Sequence, residues 1–166
     1  MAITFVRIDD RIIHGQTVTR WAMEYPCDGI VAVNDNAATN SVLKAAFKGA
    51  APDKKIFIWT MEHFKEKAQS VLDSKSRYFL ITKSPMDMRE ILVGLGFDPS
   101  GVRRVIVGPC NDRPGTVKLG FNQSITAEEA QAFEDITRAG YAVEFALVKE
   151  NSIGEWPKFR DKFDLS

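Results

Sequence analysis

The chain has 166 residues with 22 basic and 22 acidic side chains, so its formal net charge is zero. That length suits one domain with a sizeable core, and a neutral balance without a basic run argues against nucleic acid or an anionic membrane surface as partner. The longest apolar runs, 30–33 and 56–59, are strand-sized and far too short to insert into a bilayer.

The N-terminus, Met1-Ala2-Ile3-Thr4, has neither the basic nor the apolar region of a signal peptide, so a cytoplasmic location is expected. Residues 3–8 read as a buried first strand. After the loop that follows it, Val18, Trp21, Ala22 and Tyr25 recur at helical spacing, which predicts a helix opening near Thr17 and closed by Pro26. Residues 30–33 form a second apolar strand. Asn34-Asp35-Asn36 then supplies caps for a helix whose Ala38, Val42, Ala45, Ala46 and Gly49 share a face, with Pro52 closing the unit.

A third strand is predicted at 56–59, and Thr60 caps a helix lined by Met61, Phe64, Ala68, Val71 and Leu72. Residues 78–81 are the fourth strand. Ser84 reads as an N-cap with Pro85 as the first helical residue, followed by Met88, Ile91, Leu92 and Leu95 along one stripe. Residues 102–107 are the fifth strand, and the turn-rich stretch 108–115 leads into the alternation of Val117, Leu119 and Phe121. Thr126-Ala127-Glu128-Glu129 is a capping box for a helix with Ala130, Phe133 and Thr137 inward. Val143, Phe145 and Leu147 mark a last strand, and Trp156, Phe159 and Phe163 a short C-terminal helix whose start Pro157 obscures.

Strands alternating with helices predict a mostly parallel sheet covered on both faces. In such sheets ligands sit beyond the carboxyl ends of the strands, where four loops are expected to form a pocket: the loop holding His14, Asn34-Asp35, Thr82-Lys83-Ser84, and 108–113. Nucleotide motifs do not fill it. Gly94-Leu95-Gly96 lacks a third glycine and ends a helix, no phosphate-binding loop with a Lys-Ser/Thr ending is present, and there is no Gly-x-Ser-x-Gly elbow. Cys27, Cys110, His14 and His63 show no ligand spacing, so no metal and no cofactor is assigned.

The chemistry concentrates in Arg7-Ile8-Asp9-Asp10-Arg11-Ile12-Ile13-His14-Gly15-Gln16. A histidine just before a helix start can hold an anion, and phosphate is the obvious candidate. Arg11 offers forked donors to phosphate oxygens, Gly15 permits close backbone approach, and Gln16 adds an amide. A histidine of ordinary pKa, about 6.5, keeps a neutral, nucleophilic nitrogen at cytoplasmic pH. Asp9 and Asp10 have two roles open to them: accepting the N–H of the other ring nitrogen, or positioning Arg11 by an ion pair. The bland alternative is a solvated acidic turn paired with Arg7 or Arg11. Thr82 and Ser84 can offer hydroxyls to a phosphoryl group, with helix capping an equal alternative for Ser84, and Asn111, Asp112 and Arg113 form either a pocket wall or an ordinary turn.

This string, continuing through Thr19-Arg20-Trp21, resembles the IIB components of the mannose/fructose/sorbose family of the bacterial sugar phosphotransferase system. The likeness is densest in the first ~35 residues and extends through Thr82-x-x-Pro85 and Val107-Gly108. The resemblance implies a three-layer α/β/α protein with sheet order 3-2-4-1-5-6, plus a C-terminal strand and short helix. It implies that His14 accepts phosphate on Nδ1 from a phosphohistidine of the IIA component and passes it to a sugar imported by the membrane components IIC and IID, with Arg11 supporting transfer. Where many members have two glycines after the fifth strand, this chain has Gly108-Pro109-Cys110. Some members are fused to IIA; this chain begins at the IIB strand, so a separate IIA is expected. Two rival readings are a histidine phosphatase or mutase, opposed by Ile13 where an arginine would stand, and a non-catalytic module on the same fold.

Overall fold

The computed structural model describes residues 2–165, except for the side chain of Gln16. Its elements run β1 (Ile3–Ile8), α1 (Gly15–Ala22), β2 (Gly29–Val33), α2 (Asp35–Ala38), α3 (Ser41–Ala50), β3 (Lys55–Trp59), α4 (Met61–Leu72), β4 (Tyr78–Thr82) and α5 (Pro85–Arg89). There follow β5 (Arg104–Val107), β6 (Val117–Gly120), β7 (Gln123–Ile125), α6 (Ala127–Arg138), β8 (Ala142–Ala146) and β9 (Ser152–Glu155). The main sheet has the order β3-β2-β4-β1-β5-β8-β9. Every pairing in it is parallel except β8 with β9. The expected order is met through the fifth strand. Beyond β5 comes β8, because the Val117 segment pairs instead with β7 in a separate antiparallel hairpin.

Apolar side chains leave both faces of the sheet, which is why helices cover both. Phe5, Ile30, Ala32, Phe79, Ile81 and Ile106 meet Val18 and Trp21 of α1 and Leu43 and Phe47 of α3. On the other face Val6, Ile8, Val31, Leu80 and Val105 meet Phe64 of α4, Met88 of α5 and Phe133 of α6. These are the stripes expected for α1, α4, α5 and α6.

The stripe expected on α3 is corrected. Val42 is 75% exposed, Ala45, Ala46 and Gly49 are also exposed, and Leu43, Phe47 and Ala50 face the sheet instead. The cause is a break at Thr39-Asn40. Asn34 caps α2 and Asn40 separately caps α3, so the helical phase restarts there. After Arg89 the helix widens, with the Leu95 N–H donating to Glu90 O at 2.7 Å, five residues back.

The tail also differs from the predicted helix. Ser152–Glu155 is a strand, followed by two short 3₁₀ turns at Trp156–Lys158 and Arg160–Lys162. Glu134 fastens them, accepting from Trp156 Nε1 (2.9 Å), Arg160 Nε (2.6 Å) and Arg138 Nε (3.0 Å). Burial pushes its carboxyl up, but those donors and the charges of Arg160 and Arg138 outweigh it and leave Glu134 below the usual glutamate value.

Candidate functional site

Ile8 is level with Thr82 on one side and Val107 on the other, so the loops leaving β1, β4 and β5 emerge together. Backbone bonds tie them. Asp9 N–H donates to Thr82 O (2.9 Å), Asp10 N–H to Pro109 O (3.1 Å), and Gly108 N–H to Ile8 O (2.8 Å).

Within the β1–α1 loop, Asp9 forms the tightest knot. Its Oδ1 accepts the Arg11 N–H at 2.8 Å, its carbonyl accepts the Ile12 N–H at 2.9 Å, and its Oδ2 lies 3.1 Å from Arg7 Nε. Ile12 is thereby held at φ +61, a left-handed conformation that is rare and strained for a β-branched residue. Ile12 and Ile13 bury their side chains under α1, which fastens the loop from beneath.

Arg7 is the unexpected member. It shares the α1-facing side of β1 with Phe5 and is only 2% exposed, yet each of its three nitrogens has an acceptor: Nε on Asp9, Nη1 on Ala146 O (3.3 Å) and Nη2 on Leu147 O (3.1 Å). Its guanidinium carbon lies 5.4 Å from the centre of the Trp21 ring. Burial pulls Arg7 below the usual arginine value while Asp9 opposes that shift. Gly108 exists for Arg7: a Cβ there would strike the guanidinium. Sequence reasoning offered Arg7 only as a partner in a solvated acidic turn; the available signal for its burial was a charge alternating with Phe5 on an otherwise buried strand.

His14 ends the loop as the N-cap of α1, so the helix opens at Gly15, two residues earlier than predicted. Its backbone is extended and its carbonyl accepts the Val18 N–H at 2.9 Å, but its side chain makes no cap bond. The imidazole is half-buried. No acid occupies the first turn of α1, so the positive end of the helix is not neutralised there. The Arg11 side chain is 47% exposed, with Nη2 3.5 Å from Thr17 Oγ1 in the same first turn and Nε 4.0 Å from Asp9. Arg11 and His14 are therefore both placed at the same end of α1.

Other expected contributors are occupied elsewhere. The Thr82 hydroxyl is buried and donates to Ser84 O (2.8 Å), while Ser84 Oγ caps α5 by accepting the Asp87 N–H (3.0 Å). Gly15 allows α1 to approach α3, since a Cβ would lie 2.8 Å from Ala50 O. The Gln16 side chain lies outside the described residues. Asn34 caps α2, and Asp35 accepts the Met61 N–H at 2.8 Å.

Asp10 accepts the Asn111 N–H at 2.5 Å, and burial raises its carboxyl above the usual value. Asp112 accepts the Ser124 hydroxyl, and Arg113 pairs with Glu129 through two contacts, the shorter 2.8 Å. The 108–113 stretch is thus a wired turn beside the site. Asp9 holds the Arg11 N–H and pairs closely with Arg7, one of the partners in the bland alternative, while the ion pair weighed for it with the Arg11 side chain is only a 4.0 Å approach and no direct bond to His14 is formed.

The expected pocket is replaced by a surface. Beside His14 lies a void of about 10 Å³ that is partly open to the surface, and outside it an open depression bounded by Gly15, Thr19, Arg20 and Ala50. A cleft of about 450 Å³ lies at the opposite, amino-terminal end of the central strands, between Thr4, Tyr25, Arg77 and Arg104.

Comparison with known proteins identifies the family and agrees with the fold. The family model described as "PTS system sorbose subfamily IIB component" matches residues 3–165. The sorbose-specific EIIB component of Lacticaseibacillus casei is 26% identical over 154 residues, covering 90% of this chain and 89% of that protein. The mannose-specific EIIAB component of Escherichia coli K12 is 28% identical over 156 residues, but this chain spans only 45% of it. Among solved structures, the IIBSor domain of the sorbose permease from Klebsiella pneumoniae superposes with a TM-score of 0.83 at 26% identity, covering 98% of this chain and 96% of that one. This chain belongs to the sorbose-subfamily IIB components of the sugar phosphotransferase system.

Proposed function

We propose that His14 is a phosphoryl carrier between two macromolecules: it accepts the group from a phosphohistidine on a IIA component and delivers it to a sugar entering through membrane components IIC and IID. The observation that carries this reading is the placement of His14 and Arg11 at the un-neutralised positive end of α1, on a loop locked by Asp9. A surface site suits it, because a macromolecular donor brings its own walls.

In the transfer, a neutral His14 nitrogen attacks phosphorus in line with the donor's N–P bond. The new N–P bond forms as the old one breaks, its electron pair returns to the donor imidazole, and the proton shed by His14 ends on the donor side. Arg11 and the helix end neutralise the transferring oxygens. The resemblance names Nδ1 as carrier atom. In this rotamer Nδ1 faces inward, so its use requires a half-turn of the ring about Cβ–Cγ.

Among the described residues no helix is long and apolar enough to cross a membrane. As a partner of IIC and IID in this reading, the chain docks to them from the cytoplasmic side. The test is transfer of labelled phosphate from phospho-IIA to this protein, and then to sugar in membranes carrying IIC and IID. Labelling without onward passage would favour the non-catalytic reading.

A further inference from the structure

Two buried nitrogens beside the candidate site pair with no protein group: His14 Nδ1 and Trp21 Nε1. Both residues line the same void, whose wall also includes Asp9, Arg7, Thr17 and Phe5. Trp21 is 4% exposed and stacked on Phe5 with ring centres 4.8 Å apart, so its N–H cannot turn to bulk solvent. Leaving two such groups unpaired is costly, whereas one small bridging molecule relieves both. The void, about 10 Å³, is at the lower limit that admits a single water, and Asp9, Thr17 and Arg7 add polar groups to its largely apolar wall.

We infer that this void is an ordered-water site that makes Trp21 a positioning residue for His14. The water accepts the indole N–H of Trp21 and donates one hydrogen to His14 Nδ1. Its second hydrogen goes to the Asp9 carboxylate, whose bonds to Arg7 and the Arg11 N–H leave lone pairs available. The consequence is chemical: with Nδ1 receiving a hydrogen bond, the neutral ring carries its proton on Nε2, and the ring stays oriented with Nδ1 inward until a donor arrives. The bridge also supplies the link between Asp9 and His14 that no direct bond provides. Its meaning for phosphoryl transfer rests on His14 being the carrier; the site itself rests on the two nitrogens and the void.

The test uses the unphosphorylated full chain. ¹⁵N NMR of the His14 ring above its titration range should show the Nε2–H form alone, and a water-exchange experiment should give a cross-peak between the Trp21 indole proton and a long-lived water. In Trp21→Phe that cross-peak is lost, and the Nδ1–H form of His14 should rise from trace to a measurable share. If Trp21→Phe does not fold, replacing the indole by its benzothienyl isostere removes the N–H with the ring shape kept. A wild-type His14 protonated on Nδ1, a Trp21 proton with no water contact, or a tautomer balance unmoved by loss of the indole N–H overturns the proposal. None of these readouts involves phosphate, so failure of wild-type labelling by phospho-IIA would count against the carrier reading alone.

Discussion

Arg7 and Asp9 form an ion pair at 3.1 Å with both side chains only 2% exposed. A buried pair of this kind adds little net stability compared with an apolar pair, but removing one partner leaves an uncompensated buried charge. Here the pair joins β1 to the end of β8 through Ala146 O and Leu147 O and sets the loop that presents His14. Asp9→Ala should therefore lower the unfolding free energy by about 3–5 kcal/mol in a denaturant titration. The double change Arg7→Met with Asp9→Leu should recover most of that loss while leaving phosphate acceptance impaired.

Gly108 should tolerate no side chain. Gly108→Ala places a methyl group against the Arg7 guanidinium, so a destabilisation of about 1–3 kcal/mol is expected. Combining it with Arg7→Met should cost less than the sum of the two single changes, which a double-mutant cycle measures.

Stability should fall in acid through Glu134. Its folded-state pKa lies below the usual value of 4.5, so the unfolded chain binds the proton more readily. The resulting stabilisation is fully present above about 4.5 and is lost as pH drops through the lower folded value. Glu134→Gln should flatten the acid limb of a stability–pH curve and cost roughly 2 kcal/mol at neutral pH, as charge-assisted bonds from Trp156 and Arg160 weaken.

Arg11→Lys should slow phosphate acceptance with the melting temperature unchanged. The side chain is half exposed and makes only the 3.5 Å contact to Thr17 and the 4.0 Å approach to Asp9, so little packing is lost. A point charge, however, cannot reproduce two-pronged contact with a phosphoryl group. Stopped-flow transfer from phospho-IIA reads the rate, and unchanged kinetics would remove Arg11 from the site.

Much of the α/β alternation could be read from the sequence because local signals agreed with the final packing. Thr126 and Glu129 announced α6, and Ser84-Pro85 announced α5. Failures came where a decision was non-local or the element short. The Thr39-Asn40 break shifted the inward face of α3 by one residue, from Val42 to Leu43. Strands β7 and β9 have three and four residues, and β7 begins with a buried Gln123 whose side chain donates to Val107 O, a contact that no periodicity foretells.

The site divides in the same way. Asp9, Arg11 and His14 are adjacent in sequence and were singled out from it, whereas the partners of Arg7 at Ala146 and Leu147 lie 139 and 140 residues away. Thr82 and Ser84 were brought to the correct edge of the sheet, but only coordinates could reveal that their hydroxyls serve the loop and the helix cap.

The most direct measurement is the position of the phosphoryl group after incubation with phosphoenolpyruvate, the general phosphotransferase proteins and a cognate IIA. The account predicts one acid-labile phosphate per chain, located by mass spectrometry on His14, retained in His63→Ala and abolished in His14→Ala. A wild-type chain that stays unlabelled, or a label that survives His14→Ala, would contradict it.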